Sequence, residues 1–105
     1  MDLLNPITKH HLMNLEKGTY LKRPDGGIST VSTAQDDYQG YPILYPTIWD
    51  GKELPRKEAM QRAIKEGAYV MSDIAGKKGH QQLRQFDIDL HKPFDNDISR
   101  YLGKK

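Results

Sequence analysis

The sequence predicts a small α+β domain, an antiparallel β-hairpin or three-stranded sheet packed against two helices, with adaptable segments at both ends. Two observations carry this. Ile28 to Thr33 and Tyr41 to Trp49 are rich in β-branched and aromatic residues and are separated by turn-forming residues. Apolar residues then recur at helical spacing in two later segments, from Leu54 to Gly67 and from His80 to His91. A chain of 105 residues is the length of one domain and buries roughly two-thirds of its unfolded surface on folding. The expected division is an N-terminal helix or arm over 1–18, a core over 19–92 and a tail over 93–105.

Asn5 as cap, Pro6 at the first helical position and Gly18 as stop predict a short helix carrying Ile7, Leu12, Met13 and Leu15. Arg23-Pro24-Asp25-Gly26-Gly27 is a chain reversal, because proline presets φ and glycine admits φ > 0. A strand over Ile28 to Thr33 follows, then a polar connection from Ala34 to Gly40. Tyr41 to Trp49 reads as a strand whose prolines, Pro42 and Pro46, each delete a ladder donor. That places it at a sheet edge or turns the missing donors outward. Asp50-Gly51 ends it in a tight turn.

Pro55 opens the clearest helix, with Ala59, Met60, Ala63, Ile64 and Ala68 on one side and Gly67 at its end. Ala75 to Gly79 reads as an exposed basic loop, and a second helix from His80 carries Leu83, Phe86 and Leu90 until Pro93 stops it. Phe94 to Leu102 is then a short docking helix with a mobile end. Val31, Ile48, Ile64, Leu83, Phe86 and Leu90 are expected to be buried together.

Composition narrows the function. No cysteine is present, which removes disulfides, zinc–thiolate sites and thiol nucleophiles. No apolar run approaches the ~18 residues of a membrane span, so a soluble protein is expected. A net charge of +2 from 16 basic and 14 acidic residues gives no overall field toward nucleic acid, and any polyanion site must be local.

Adjacent His10 and His11 point about 100° apart on a helix, not at the i, i+4 spacing of a helical zinc pair, and all four histidines are read as surface residues. Asp95-Asn96-Asp97 imitates the start of a calcium loop. Arg100 then stands where such a loop needs glycine, so a helix cap is the better account. Asp87 and Asp89 diverge on a helix, and no nucleophile motif, phosphate loop or dinucleotide fingerprint occurs. Catalysis is therefore not expected, nor is a cofactor or a metal.

Two surfaces remain as candidates. Lys77, Lys78 and Arg84, near His80, form one basic patch able to contact a polyanion, and Arg100 with Lys104-Lys105 forms another. Tyr38, Tyr41, Tyr45 and Trp49 crowd one short stretch, and large rings with polar tips are typical interface anchors.

One stretch also carries a resemblance. Pro24-Asp25-Gly26-Gly27-Ile28-Ser29-Thr30-Val31-Ser32-Thr33 and then Ile43-Leu44-Tyr45-Pro46-Thr47-Ile48-Trp49-Asp50-Gly51-Lys52-Glu53-Leu54 resemble the P-D-G-x-x-S-T-V and L-I-P-T-x-x-x-G-x-x-L segments of a short domain recurring in tailed-phage virion proteins. Glu58-Ala59, Gly67, Phe86 and Leu90-His91 continue the pattern, so the likeness covers about residues 20 to 91. It implies a structural or accessory virion component of internal, ejection or tail-associated type, made in the host cytoplasm and docked onto other virion proteins, in many copies where the assembly is symmetric. The alternative is a small phage-encoded protein that binds nucleic acid or a host factor. The resemblance supplies no catalytic residues.

Overall fold

The computed structural model describes residues 5–103. The chain is α+β, running α1 (Pro6–Lys17), β1 (Leu21–Lys22), β2 (Ile28–Ser29), β3 (Thr33–Tyr38), β4 (Tyr41–Pro46), β5 (Ile48–Trp49), β6 (Lys52–Glu53), α2 (Arg56–Glu66), β7 (Val70–Met71) and α3 (Lys77–Gly103). A three-stranded antiparallel sheet, ordered β3-β4-β7, is flanked by the small hairpins β1-β2 and β5-β6.

The first helix forms as its caps dictate: the Asn5 side chain accepts from the amides of Ile7 and Thr8, and Gly18 closes it at φ 71°. Its buried stripe is Ile7, His10, His11, Asn14 and Leu15. Leu12 is on the outside, so the inward face of this helix is largely polar.

Two hairpins turn on two-residue loops with both residues at positive φ. Asp50-Gly51 is the expected one, and Gln39-Gly40 does the same between β3 and β4. Asp36 and Asp37, which make Ala34 to Gly40 look like a connection, instead lie on the edge strand β3, where Asp36 meets Arg56 and Asp37 meets His80. The expected strand over Ile28 to Thr33 is correspondingly reduced: only Ile28–Ser29 pairs, with β1, and pairing resumes at Thr33.

The proline-bearing strand β4 is central rather than at the edge, pairing with β3 on one side and β7 on the other. The Ser72 amide donates to the Pro42 carbonyl at 3.0 Å. Amide and carbonyl of one strand residue face the same way, so Pro42 and Pro46 turn their donorless nitrogens toward the two-residue β7 and the full ladder with β3 is intact. Both faces of β4 are covered, which explains its unbroken apolar run. Ile43 and Tyr45 pack with Ala59 and Ala63 of α2. Leu44 packs on the other face with Val31, Ile7 of α1 and Leu83, Leu90 and Phe94 of α3.

The expected single core is thus divided between two layers. Val31, Leu83 and Leu90 lie in one, with Phe86 half-buried at its margin, and Ile64 is half-buried against the other. Ile48 is fully buried.

Pro93 does not stop the last helix. Although an internal proline costs ~3 kcal/mol, Phe94 is buried against α1 and the sheet, and Ile98 and Tyr101 pack on Leu15, Tyr20 and Ile28. Packing of this one face carries the helix through. Nor is Ala75 to Gly79 wholly an exposed loop: the helix begins at Lys77, and Gly79 is buried. A Cβ there would sit 1.7 Å from the Ile74 carbonyl oxygen and 2.8 Å from Pro42 Cγ. Only glycine lets the start of α3 approach the sheet this closely.

Candidate functional site

The four aromatic candidates part company. Tyr45 is fully buried and Trp49 is 4% exposed. Both are spent on the chain's own core, because β4 is central and α2 covers it. The Tyr45 hydroxyl donates to Asp36, and burial, then this hydrogen bond, pushes its phenol above the ordinary 10.0. Trp49 donates through Nε1 to the Pro46 carbonyl at 3.0 Å, beneath the Arg62 guanidinium. Tyr38 is half-buried against the α2 layer. Tyr41, beyond the turn, is 44% exposed and lines a shallow groove with Gln39, Met71 and Asp73.

The histidine reading is corrected for His10 and His11, which are the buried polar centre of the molecule. The His10 ring tilts against Trp49, and Nε2 lies 2.6 Å from the Ile48 carbonyl. A carbonyl only accepts, so this nitrogen carries the proton. His11 stacks on Phe94 with ring centroids 4.0 Å apart. Its Nε2 donates to Asp97 at 3.0 Å, which leaves Nδ1 to accept from the Thr30 hydroxyl at 2.5 Å. Asn14, one turn on, donates to the Thr30 carbonyl at 2.7 Å and accepts from the Thr19 hydroxyl at 2.9 Å.

Hydroxyl, imidazole and carboxylate in line resemble a nucleophile relay. Thr30, however, is 1% exposed and the His11 ring is wholly enclosed, so the hydroxyl faces the interior and not a cleft. The arrangement braces α1, the β2-to-β3 connection and α3 together. Burial holds both imidazoles below their ordinary 6.5, against the opposing pull of Ile48 on His10 and of Asp97 on His11. Asp97 also accepts from Arg100 at 2.5 Å, in mid-helix rather than as the expected cap. Spacing could not reveal this network, because its members come from α1, a connection and α3.

The basic candidates gain a setting. Lys77 and Lys78 occupy the first turn of α3 and Arg84 lies further along it. Lys77, His80 and Arg84 stand at i, i+3 and i+7, on one helix face. His80 and Arg84 form one wall of a cleft of about 570 Å³, with Glu53 and Arg56 on the other and Thr33 and Gln35 of β3 between them. Asp37 accepts from His80 at 2.9 Å, while Arg56 bonds the Gln35 carbonyl and lies 3.3 Å from Asp36. Among the described residues, Lys77 and Arg84 have no ion-pair partner. Lys104-Lys105 of the second basic patch lies outside the described residues.

His91 is half-buried on α3 and pairs with Asp87 at 3.1 Å, which raises it above 6.5. No helix is long and apolar enough to cross a membrane among the described residues.

No family model matches the chain, and no solved structure matches it. A leucine–tRNA ligase of Gluconobacter oxydans (strain 621H) is 28% identical over 68 residues, which are 64% of this chain. The chain spans only 8% of that protein.

Proposed function

We propose that this chain is a structural or accessory component of a tailed-phage particle that acts by docking onto another particle protein. One observation supports the reading above others: the landmarks shared with the virion domain coincide with the framework of the fold. Pro24 to Gly27 is the turn between β1 and β2, Leu44 to Pro46 lies in the central strand, Asp50-Gly51 turns the next hairpin, and Ala59 is the point where α2 meets the sheet. A pattern that specifies framework leaves function to the surface, and the groups best suited to chemistry, His10, His11 and Thr30, are committed inside. Quantitative mass spectrometry of purified particles against infected-cell lysate tests this. Enrichment in particles is expected, and presence in lysate alone overturns it.

The stripe of Lys77, His80 and Arg84 favours a second reading, a small phage-encoded protein that binds nucleic acid. Each phosphate contact releases counterions, so affinity would fall steeply with salt. Replacing Lys77 and Lys78 by alanine would flatten that slope by up to about two contacts' worth. Absence of binding by the unsubstituted chain at low salt removes this reading.

A further inference from the structure

Among the described residues, the outer edge of β3 has no neighbouring strand. Its polarity follows from the register. Because the Pro42 carbonyl faces Ser72 on the β7 side, its partner Asp37 must point amide and carbonyl away from β4, and so must Gln35 and Thr33. The intervening residues Ala34, Asp36 and Tyr38 hold the ladder with β4. Thus three consecutive outward positions present donors and acceptors in the two-residue rhythm of a half-made sheet. Arg56 is already seated there, its guanidinium donating to the Gln35 carbonyl where a strand's amide would.

This edge is the floor of the cleft between Arg56 and the Arg84 face of α3. The side chains of Thr33, Gln35 and Asp37 lean toward α3, bonding Asp87 and His80. A segment laid along the edge would therefore send alternate side chains toward Lys77, His80 and Arg84, and the others toward Arg56. The acids of the cleft are occupied: Asp36 by Arg56 and Tyr45, Asp37 by His80, Glu53 by the Thr47 hydroxyl, Asp87 by Thr33 and His91. On the α3 face beside this edge, Lys77 and Arg84 have no ion-pair partner among the described residues.

We propose that the β3 edge is a strand-addition site for an extended, acidic segment of another protein. Its backbone pairs with Thr33, Gln35 and Asp37, and its carboxylates engage Arg84 and Lys77 on one side and draw Arg56 off Gln35 on the other. A nucleic-acid strand fits this floor poorly, because its phosphates only accept, and would face the outward carbonyls of Thr33 and Asp37. This deepens, and rests on, the docking function proposed above.

The test uses the full chain, a fluorescein-labelled peptide about ten residues long in which pairs of glutamates alternate with pairs of valines, so that both faces carry carboxylates, the valine–lysine counterpart, and oligothymidylate. The glutamate peptide is expected to bind and to slow hydrogen exchange at the Gln35 and Asp37 amides, leaving Asp36, already paired with β4, unchanged. The lysine peptide is expected not to bind. Arg84→Glu, at an exposed position, should weaken the glutamate peptide roughly tenfold without altering the melting temperature. Unchanged exchange at Gln35 and Asp37 overturns the proposal, as does protection of the cleft by oligothymidylate and not by the peptide. Particle association with an unprotected edge overturns strand addition alone. A protected edge in a chain absent from particles overturns the particle assignment alone.

Discussion

At the scale of single residues, the buried imidazoles make the clearest demand. His10 and His11 are held neutral by burial, each below 6.5, so the unfolded chain binds more protons than the folded one as acid is added. Their contribution to stability is complete above about 6.5 and is lost as pH falls through the lowered folded values. His91 works in the opposite sense: raised by Asp87, it stabilises below its unfolded value, and that contribution disappears as pH rises through the raised folded one. The His91 contribution is already complete below about 6.5, so from there down to pH about 5 only the loss from His10 and His11 remains among the histidines, and the melting temperature is expected to fall over that range. His11→Gln should lower the neutral-pH melting temperature and flatten this slope, as parallel melts across that range would show. The groups facing His11 are Thr30, Asp97, Asp95, His91 and His10, so Asp97→Asn serves as a control that keeps the shape and removes the charge. Phe94→Ala, at a ring 2% exposed and stacked on His11, should cost about 3–5 kcal/mol, measured by denaturant unfolding. Phe86→Ala, half-buried, should cost clearly less.

At the scale of elements, α3 breaks local rules at its start and in its interior for the sake of packing. Gly79 sits where any side chain meets the Ile74 carbonyl and the Pro42 ring. Gly79→Ala, although favourable to helix propensity, should destabilise by about 1–3 kcal/mol or more, seen as a lowered denaturation midpoint. Pro93 is exposed at the margin of the helix's buried face, in a groove shared with Asn5 and Thr8. Pro93→Ala should stabilise by about 1–3 kcal/mol, and a rise in melting temperature would confirm that packing alone carries the helix through. Helix α1 was legible because its caps are local chemistry, as was α2 through its spacing and Gly67. The extent of α3 was not legible, since Pro93 is a correct local stop signal that Phe94, Ile98 and Tyr101 override from across the molecule. Strand β3 was hidden for a related reason: Asp36 and Asp37 lower strand propensity, and Tyr45 and Arg56, which receive Asp36, are distant in sequence.

At the scale of the whole molecule, β4 between two layers decides which aromatic residues remain for a partner. Tyr45→Ala should unfold the chain or lower its melting temperature sharply, because the ring fills the layer under α2. Tyr41→Ala should fold as the unsubstituted chain does, and if the turn end of β4 contributes to docking it should reduce incorporation into particles. Circular dichroism and particle assays on the same preparations separate these outcomes. By itself the sequence determined the fold class, the first two helices, the reversal at Pro24 to Gly27 and the turn at Asp50-Gly51, since capping, periodicity and turn chemistry act over a few residues. It also marked Lys77, Lys78 and Arg84 as a basic patch. Only the tertiary structure decided that His10 and His11 are buried, that Tyr45 and Trp49 are core, and that Arg84 looks across an open strand edge at Arg56. Those outcomes depend on which surfaces meet. A buried histidine is tolerable only when Thr30, Asp97 and Ile48 arrive to satisfy it, and no spacing along the chain records their arrival.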